Sequence, residues 1–110
     1  MDISVTTPGD YAVLSPQGRL TAVGAPMLRK NVDRLLEEGS TRIVIDLSQT
    51  SFVDSSGLGA LIGGLKAARV AGGDLRIAAA TPAVMNVLKL TNLDKVLRTY
   101  ASPEAAFGDG

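Results

Sequence analysis

Arg42 to Ala60 reads R-I-V-I-D-L-S-Q-T-S-F-V-D-S-S-G-L-G-A, and the change of pattern inside this stretch decides the fold. Residues 42 to 47 are a short β-branched run, apolar on both faces, as expected of a central strand covered by helices on either side. From Ser55 the apolar spacing lengthens to Leu58, Leu61, Ile62, Leu65 and Ala68 on one stripe, which predicts a helix that Gly72 and Gly73 terminate. A buried strand therefore hands over to a helix between Ser48 and Ala60. That junction falls at the carboxyl edge of the sheet, where ligand sites of open α/β folds gather.

The same alternation of periods extends in both directions. Upstream, Ile3 and Val5 alternate with polar neighbours, Pro8, Gly9 and Asp10 form a turn, and Tyr11, Val13 and a run to about Leu20 complete a β-hairpin. Pro26 then opens a helix carrying Leu28, Val32, Leu35 and Leu36, with Gly39 as its stop. Its wet side holds Arg29, Lys30, Asp33, Arg34, Glu37 and Glu38. Downstream, Leu75, Ile77 and Ala79 alternate as a strand, and Thr81 and Pro82 begin a third helix with Val84, Val87 and Leu88. A strand around Val96 to Tyr100, a last helical turn opened by Ser102 and Pro103, and a frayed end from Gly108 to Gly110 finish the chain. The expected order is β-β-α-β-α-β-α-β plus a short C-terminal helix: one α/β layer sandwich over residues 1–110, with a mixed, mostly parallel sheet.

Composition removes whole classes of function. A chain of 110 residues, 45% hydrophobic, suits one domain with one core. Eleven Lys and Arg balance eleven Asp and Glu, and two Phe, two Tyr and no Trp leave few stacking platforms, so nucleic acid is not an expected partner. With no Cys and no His, thiolate and imidazole chemistry are absent; neither a metal centre nor a cofactor is expected, and the chain is not read as an enzyme. Met1 to Asp10 carries neither a basic nor an apolar run, and no window holds the roughly 18 unbroken apolar residues of a membrane helix. A soluble, cytoplasmic protein without direct membrane insertion is the expectation.

Within the junction, Asp54 suits an N-cap, which puts Ser55 in the first helical turn, its hydroxyl toward solvent beside the positive end of the helix dipole. A phosphoryl group there would add about −1.5 to −2 charges, partly compensated by the helix end. Asp-Ser-Ser is also an ordinary helix start, and capping alone identifies no phosphosite. The helix that follows is less ordinary, because Gly57, Gly59, Gly63 and Gly64 each cost about 0.5 to 1 kcal/mol relative to Ala. Gly59, Gly63 and Ala67 recur at four-residue intervals on a face distinct from the leucine stripe, a shallow groove for close approach by either a neighbouring helix of the domain or a partner.

Phe52, Val53, Asp54, Ser55, Ser56, Gly57, Leu58 and Gly59, with Leu61 after them, resemble the D-S-[ST]-G-L-G signature of STAS-domain anti-sigma-factor antagonists. The resemblance spans nearly the whole chain, through Asp46 and Leu47, the G-G-x-L turn of Gly72, Gly73 and Leu75, and the P-x-V helix of Pro82 and Val84. It implies partner switching: the unmodified protein binds an anti-sigma factor with a kinase fold and releases the sigma factor, phosphorylation breaks the complex, and a serine phosphatase resets it. It also implies Ser55 as the phosphoacceptor, with Ser56 as the fallback, and a partner surface drawn from Asp54, Ser56, Gly57, Leu58, Gly59, Gly63 and Thr21. A weak homodimer stays open as an additional association. The chain departs from the family where many members carry G-E-L-D or G-E-V-D, since it has Gly18, Arg19, Leu20 and Thr21. Arg19 is read there as a solvated loop cation rather than a phosphate ligand.

Two other readings give different expectations. STAS domains of this kind also act as scaffolding subunits or domains of membrane transporters, without a phosphate cycle. A nucleotide-binding or enzymatic α/β sandwich is disfavoured because the glycines after Asp54 fall inside the helix, and neither G-x-G-x-x-G nor G-x-x-x-x-G-K-[ST] occurs. A Ser55–Lys66 nucleophile and base pair would be separated by about 16 Å along an intact helix.

Overall fold

A hairpin starts the chain: β1 (Asp2–Thr6) runs antiparallel to β2 (Ala12–Leu20), with Ile3 opposite Pro16 and Val5 opposite Leu14. There follow α1 (Ala25–Glu37), β3 (Arg42–Asp46), β4 (Thr50–Val53), α2 (Ser55–Val70), β5 (Asp74–Ala78), α3 (Pro82–Leu90), a 3₁₀ turn (Leu93–Lys95), β6 (Thr99–Tyr100) and α4 (Pro103–Ala106). This computed structural model describes residues 1–108; Asp109 and Gly110, expected to be frayed, lie outside the described residues. Gly39 and Gly72, read as helix stops, both have φ of +90°, the left-handed turn that glycine adopts without strain.

The six-stranded sheet has the order β1-β2-β3-β5-β6, with β2, β3, β5 and β6 parallel and β4 paired to β2. Each crossover adds its strand on the same side of the last, and right-handed crossovers that always advance one way lay their helices on one face. The main core reflects this. Leu28 and Val32 of α1, Leu61 and Leu65 of α2, and Val84 and Leu88 of α3 share one buried cluster with Ala12, Leu14, Ile43, Ile45, Leu75 and Ile77 of the strands.

The opposite face corrects the expectation of crossover helices on both sides of residues 42 to 47. Val13, Val44 and Ala78 are covered there by α4 and Phe107, a cluster flanked by Tyr11 and Tyr100. The Phe107 ring stacks against Tyr11 with centroids 6.1 Å apart, and the guanidinium carbons of Arg76 and Arg42 lie 4.2 and 5.4 Å from its centre. Arg76 also donates to the Ala106 carbonyl at 2.6 Å, which ties α4 to β5. A four-residue helix and one aromatic ring thus do the covering that a full helical layer was expected to do.

The second correction is β4, which lies inside the Ser48–Ala60 stretch that the sequence reads as a direct handover from strand to helix. The reason is the length of β2. Its first residues pair with β3, Ala12 to Leu14 against Ile43 to Ile45, but β2 continues past the end of β3 and leaves Gly18 to Leu20 without a neighbour. After Leu47 the chain turns, with the Ser48 amide donating to Asp46 Oδ1 at 2.9 Å, and Thr50, Phe52 and Val53 take up positions opposite Gly18, Arg19 and Leu20. Thr50 is fully buried, and its hydroxyl donates to the Pro16 carbonyl at 2.9 Å.

β5 ends one residue earlier than the alternation suggested, because Ala79 has φ of +54° while its amide donates to the Tyr100 carbonyl at 2.8 Å. A Cβ in the left-handed region costs about 1 to 2 kcal/mol, so Ala79→Gly is expected to raise stability by about 1 kcal/mol after the entropy cost of glycine is deducted. Phe107→Ala is expected to lower it by about 3 kcal/mol by uncovering Val13, Val44 and Ala78. Urea denaturation followed by circular dichroism measures both, and the two changes should have opposite signs.

Candidate functional site

The site is built where β2 and β4 end together. Leu20 and Val53, opposite each other and buried, fix the strand ends, and the Asp54 amide donates to the Leu20 carbonyl at 3.3 Å. Asp54 itself is extended, with φ of −100° and ψ of −171°, and its Oδ1 accepts the Gly57 amide at 2.9 Å. The expected N-cap is therefore formed. Its backbone carbonyl accepts the Leu58 amide at 2.9 Å and starts α2, so Ser55 and Ser56 occupy the first turn, both exposed.

The glycines of α2 separate into two kinds. A methyl group on Gly57 would collide with the Leu20 carbonyl oxygen and come 2.8 Å from Val53 Cγ1, so only glycine lets the helix sit this close to the strand ends. One on Gly64 would lie 3.0 Å from Leu75 Cδ1 and 3.6 Å from the Val32 methyls, and one on Gly63 would meet the Arg29 guanidinium. Gly57 and Gly64 serve packing within the domain, whereas the contact at Gly63 is with the mobile end of an arginine side chain. Gly59 is different, with open space where a side chain would project. It lies on the floor of a shallow groove formed with Ser56 and Ala60 of α2 and with Ala22, Ala25, Pro26 and Arg29.

Among the residues expected at a partner surface, Ser56 and Gly59 are exposed, Asp54 and Thr21 are half-buried, and Gly57 and Leu58 are buried. Gly63 is roofed by Arg29. The Thr21 carbonyl accepts the Ala25 amide at 2.8 Å, which sets the entry into α1 beside the groove. Sequence reasoning missed Phe52 and Val23, which are 40% and 76% exposed at this same edge. Recognising β4 would have found Phe52, since strand alternation turns it away from the core beside buried Val53.

Charge is segregated within the molecule. Residues 20–28, 47–53, 55–65 and 77–88, which supply the carboxyl ends of β2, β4 and β5 and the starts of all three long helices, contain no Asp, Glu, Lys or Arg. Asp54, the one carboxylate among them, is engaged as the cap. The opposite edge is densely charged: a cavity of about 570 Å³ there is lined by Asp10, Arg42, Asp74 and Arg76. Their charges balance locally: Arg42 at the start of β3 is held to Asp10, in the turn before β2, at 2.8 Å, and Arg76 pairs with Asp74 two residues earlier on β5 at 3.1 Å.

Among the described residues, no three His, Cys, Asp or Glu side chains gather where a metal ion could sit, and no helix is long and apolar enough to cross a membrane. Because α2 runs unbroken from Ser55 to Val70, Lys66 stays about 16 Å from Ser55 along the axis. What the edge offers is a neutral, partly apolar surface with two hydroxyls at a helix start.

Comparison with known proteins agrees with that geometry. The STAS domain profile matches residues 2–106. A Thermotoga maritima protein assigned as an anti-sigma factor antagonist is 33% identical over 92 residues, covering 83% of this chain and 81% of that protein. The anti-sigma-B factor antagonist of Bacillus subtilis is 29% identical over 87 residues, 79% of each chain. The crystal structure of a T. maritima protein with the same assignment superposes with a TM-score of 0.89 at 29% identity, covering 97% of this chain and 92% of that one. The chain belongs to the STAS domain family.

Proposed function

We propose that the protein is an anti-sigma-factor antagonist whose uncharged carboxyl edge docks an anti-sigma factor with a kinase fold, and whose Ser55 is the switch. The observation that carries this reading is the Ser55 hydroxyl, exposed in the first turn of α2, where the capping Asp54 is the one charged residue within residues 47–65. In the docked state the kinase transfers the γ-phosphoryl group of ATP to Ser55 Oγ, ADP leaves and the hydroxyl proton is released; a phosphatase later hydrolyses the ester with water. The chain supplies the acceptor and the docking surface, and the chemistry belongs to its partners in the cytoplasm.

The physics of the switch follows from the surroundings of Ser55. Burying a phosphate dianion in an interface strips its hydration, and no Lys or Arg within residues 47–65 is available to neutralise it. A loss of several kcal/mol in binding is the consequence. The fold survives, because an anion at the start of a helix is compatible with the dipole and with the cap. The transporter-scaffold reading requires no acceptor hydroxyl and is not favoured by these features.

Two outcomes test this. Incubated with the anti-sigma kinases of the source organism and ATP, the wild type and Ser56→Ala should each gain one phosphate by intact mass, and Ser55→Ala should gain none. Gly59→Ala should raise helix stability by about 0.5 to 1 kcal/mol, because its methyl meets nothing within the domain. The same variant should weaken binding of the anti-sigma factor at least tenfold, which calorimetry and a thermal melt measure together.

A further inference from the structure

We infer that Arg19 is a specificity-determining contact that meets an acidic side chain on the anti-sigma partner, an inference that rests on the antagonist reading above. Arg19 is the only Lys or Arg among residues 1–28, and residues 47–65 contain none, so it is the single cation that the strands and loops nearest Ser55 provide. It is exposed and, among the described residues, has no carboxylate within ion-pair distance, whereas Arg42 and Arg76 at the other edge are held by Asp10 and Asp74.

Its surroundings separate it from an ordinary solvated arginine. In the parallel register Arg19 lies opposite Phe52, and its guanidinium carbon sits 5.1 Å from the centre of that exposed ring. A guanidinium resting on an aromatic face is restrained before any partner arrives, so less rotamer freedom is lost on docking. The next residue, Leu20, accepts the Asp54 amide and lies against Gly57, so the strand that carries Arg19 is coupled rigidly to the helix start that carries Ser55. An arginine paired with an aromatic ring is also the composition of an interface hot spot. With no cluster of cations around it and a net charge of zero over the whole chain, Arg19 does not make a site for a polyanion such as nucleic acid, and the complement that fits is a single Asp or Glu in a protein surface.

The test uses the full chain and whichever anti-sigma factor of the source organism binds the wild type. Arg19→Glu is expected to weaken that binding at least tenfold, Arg19→Lys to stay within a fewfold of wild type, and Arg19→Ala to flatten the salt dependence of the association rate. All three should melt at the wild-type temperature. In the Arg19→Lys complex, a zero-length carbodiimide should join the introduced amine to a partner carboxylate, identified by peptide mass spectrometry. Unchanged affinity of Arg19→Glu, or an effect of Arg19→Ala confined to the Ser55-phosphorylated form, would overturn the inference while leaving the antagonist reading intact. Failure of the wild type to bind any anti-sigma factor would overturn both.

Discussion

The carbonyl of Leu20, at the end of β2, is the point on which the functional edge depends. It accepts the Asp54 amide and leaves room on its other side only for the hydrogen of Gly57. Strand, cap and helix therefore meet at one carbonyl, and the position of Ser55 is set by the Leu20–Asp54 backbone contact together with the Asp54 side-chain cap on Gly57. A substitution that pushed α2 off this carbonyl would move the serine, the open Gly59 groove and the cap together.

The two edges of the sheet answer different physical demands. At the amino edge, the Arg42–Asp10 salt bridge joins two strand beginnings, and Phe107 with a helix only four residues long covers the sheet. At the carboxyl edge charge is nearly absent, so the local potential is set by what is added to it. On the proposed function, a phosphate there would meet no cation within residues 47–65; the cations of neighbouring elements are Arg19 across the strand pair and Arg29 of α1, which is already paired with Asp33. The switch proposed for Ser55 requires no second conformation of the fold, since a change in desolvation cost at a rigid surface would be enough.

How much of this could be read from the sequence depended on how local each determinant is. The Asp54 cap, the exposed Ser55, the Gly39 and Gly72 stops and the leucine stripe of α2 follow from neighbours a few residues away, and they were legible. β4 was not, because Thr50 to Val53 becomes a strand only through the overrun of β2 some 30 residues earlier, a long-range pairing with no local period. The exposed Phe52 was hidden with it. The glycines of α2 were conspicuous, yet the division between Gly57 and Gly64, which pack inside, Gly63 under the Arg29 guanidinium, and Gly59, which stays open, needed the positions of Leu20, Leu75 and Arg29. Likewise, a run apolar on both faces at Ile43 to Ile45 announces burial without saying that the far side is covered by α4 and Phe107.

The central claim is that modification of Ser55 acts by the cost of burying charge at an already formed docking surface. The most direct measurement is calorimetric titration of the anti-sigma factor with the unmodified and the Ser55-phosphorylated protein under identical buffer. A loss of about 100-fold or more, roughly 2.7 kcal/mol, is predicted for the phosphorylated form. Equal affinity of the two forms would contradict the account.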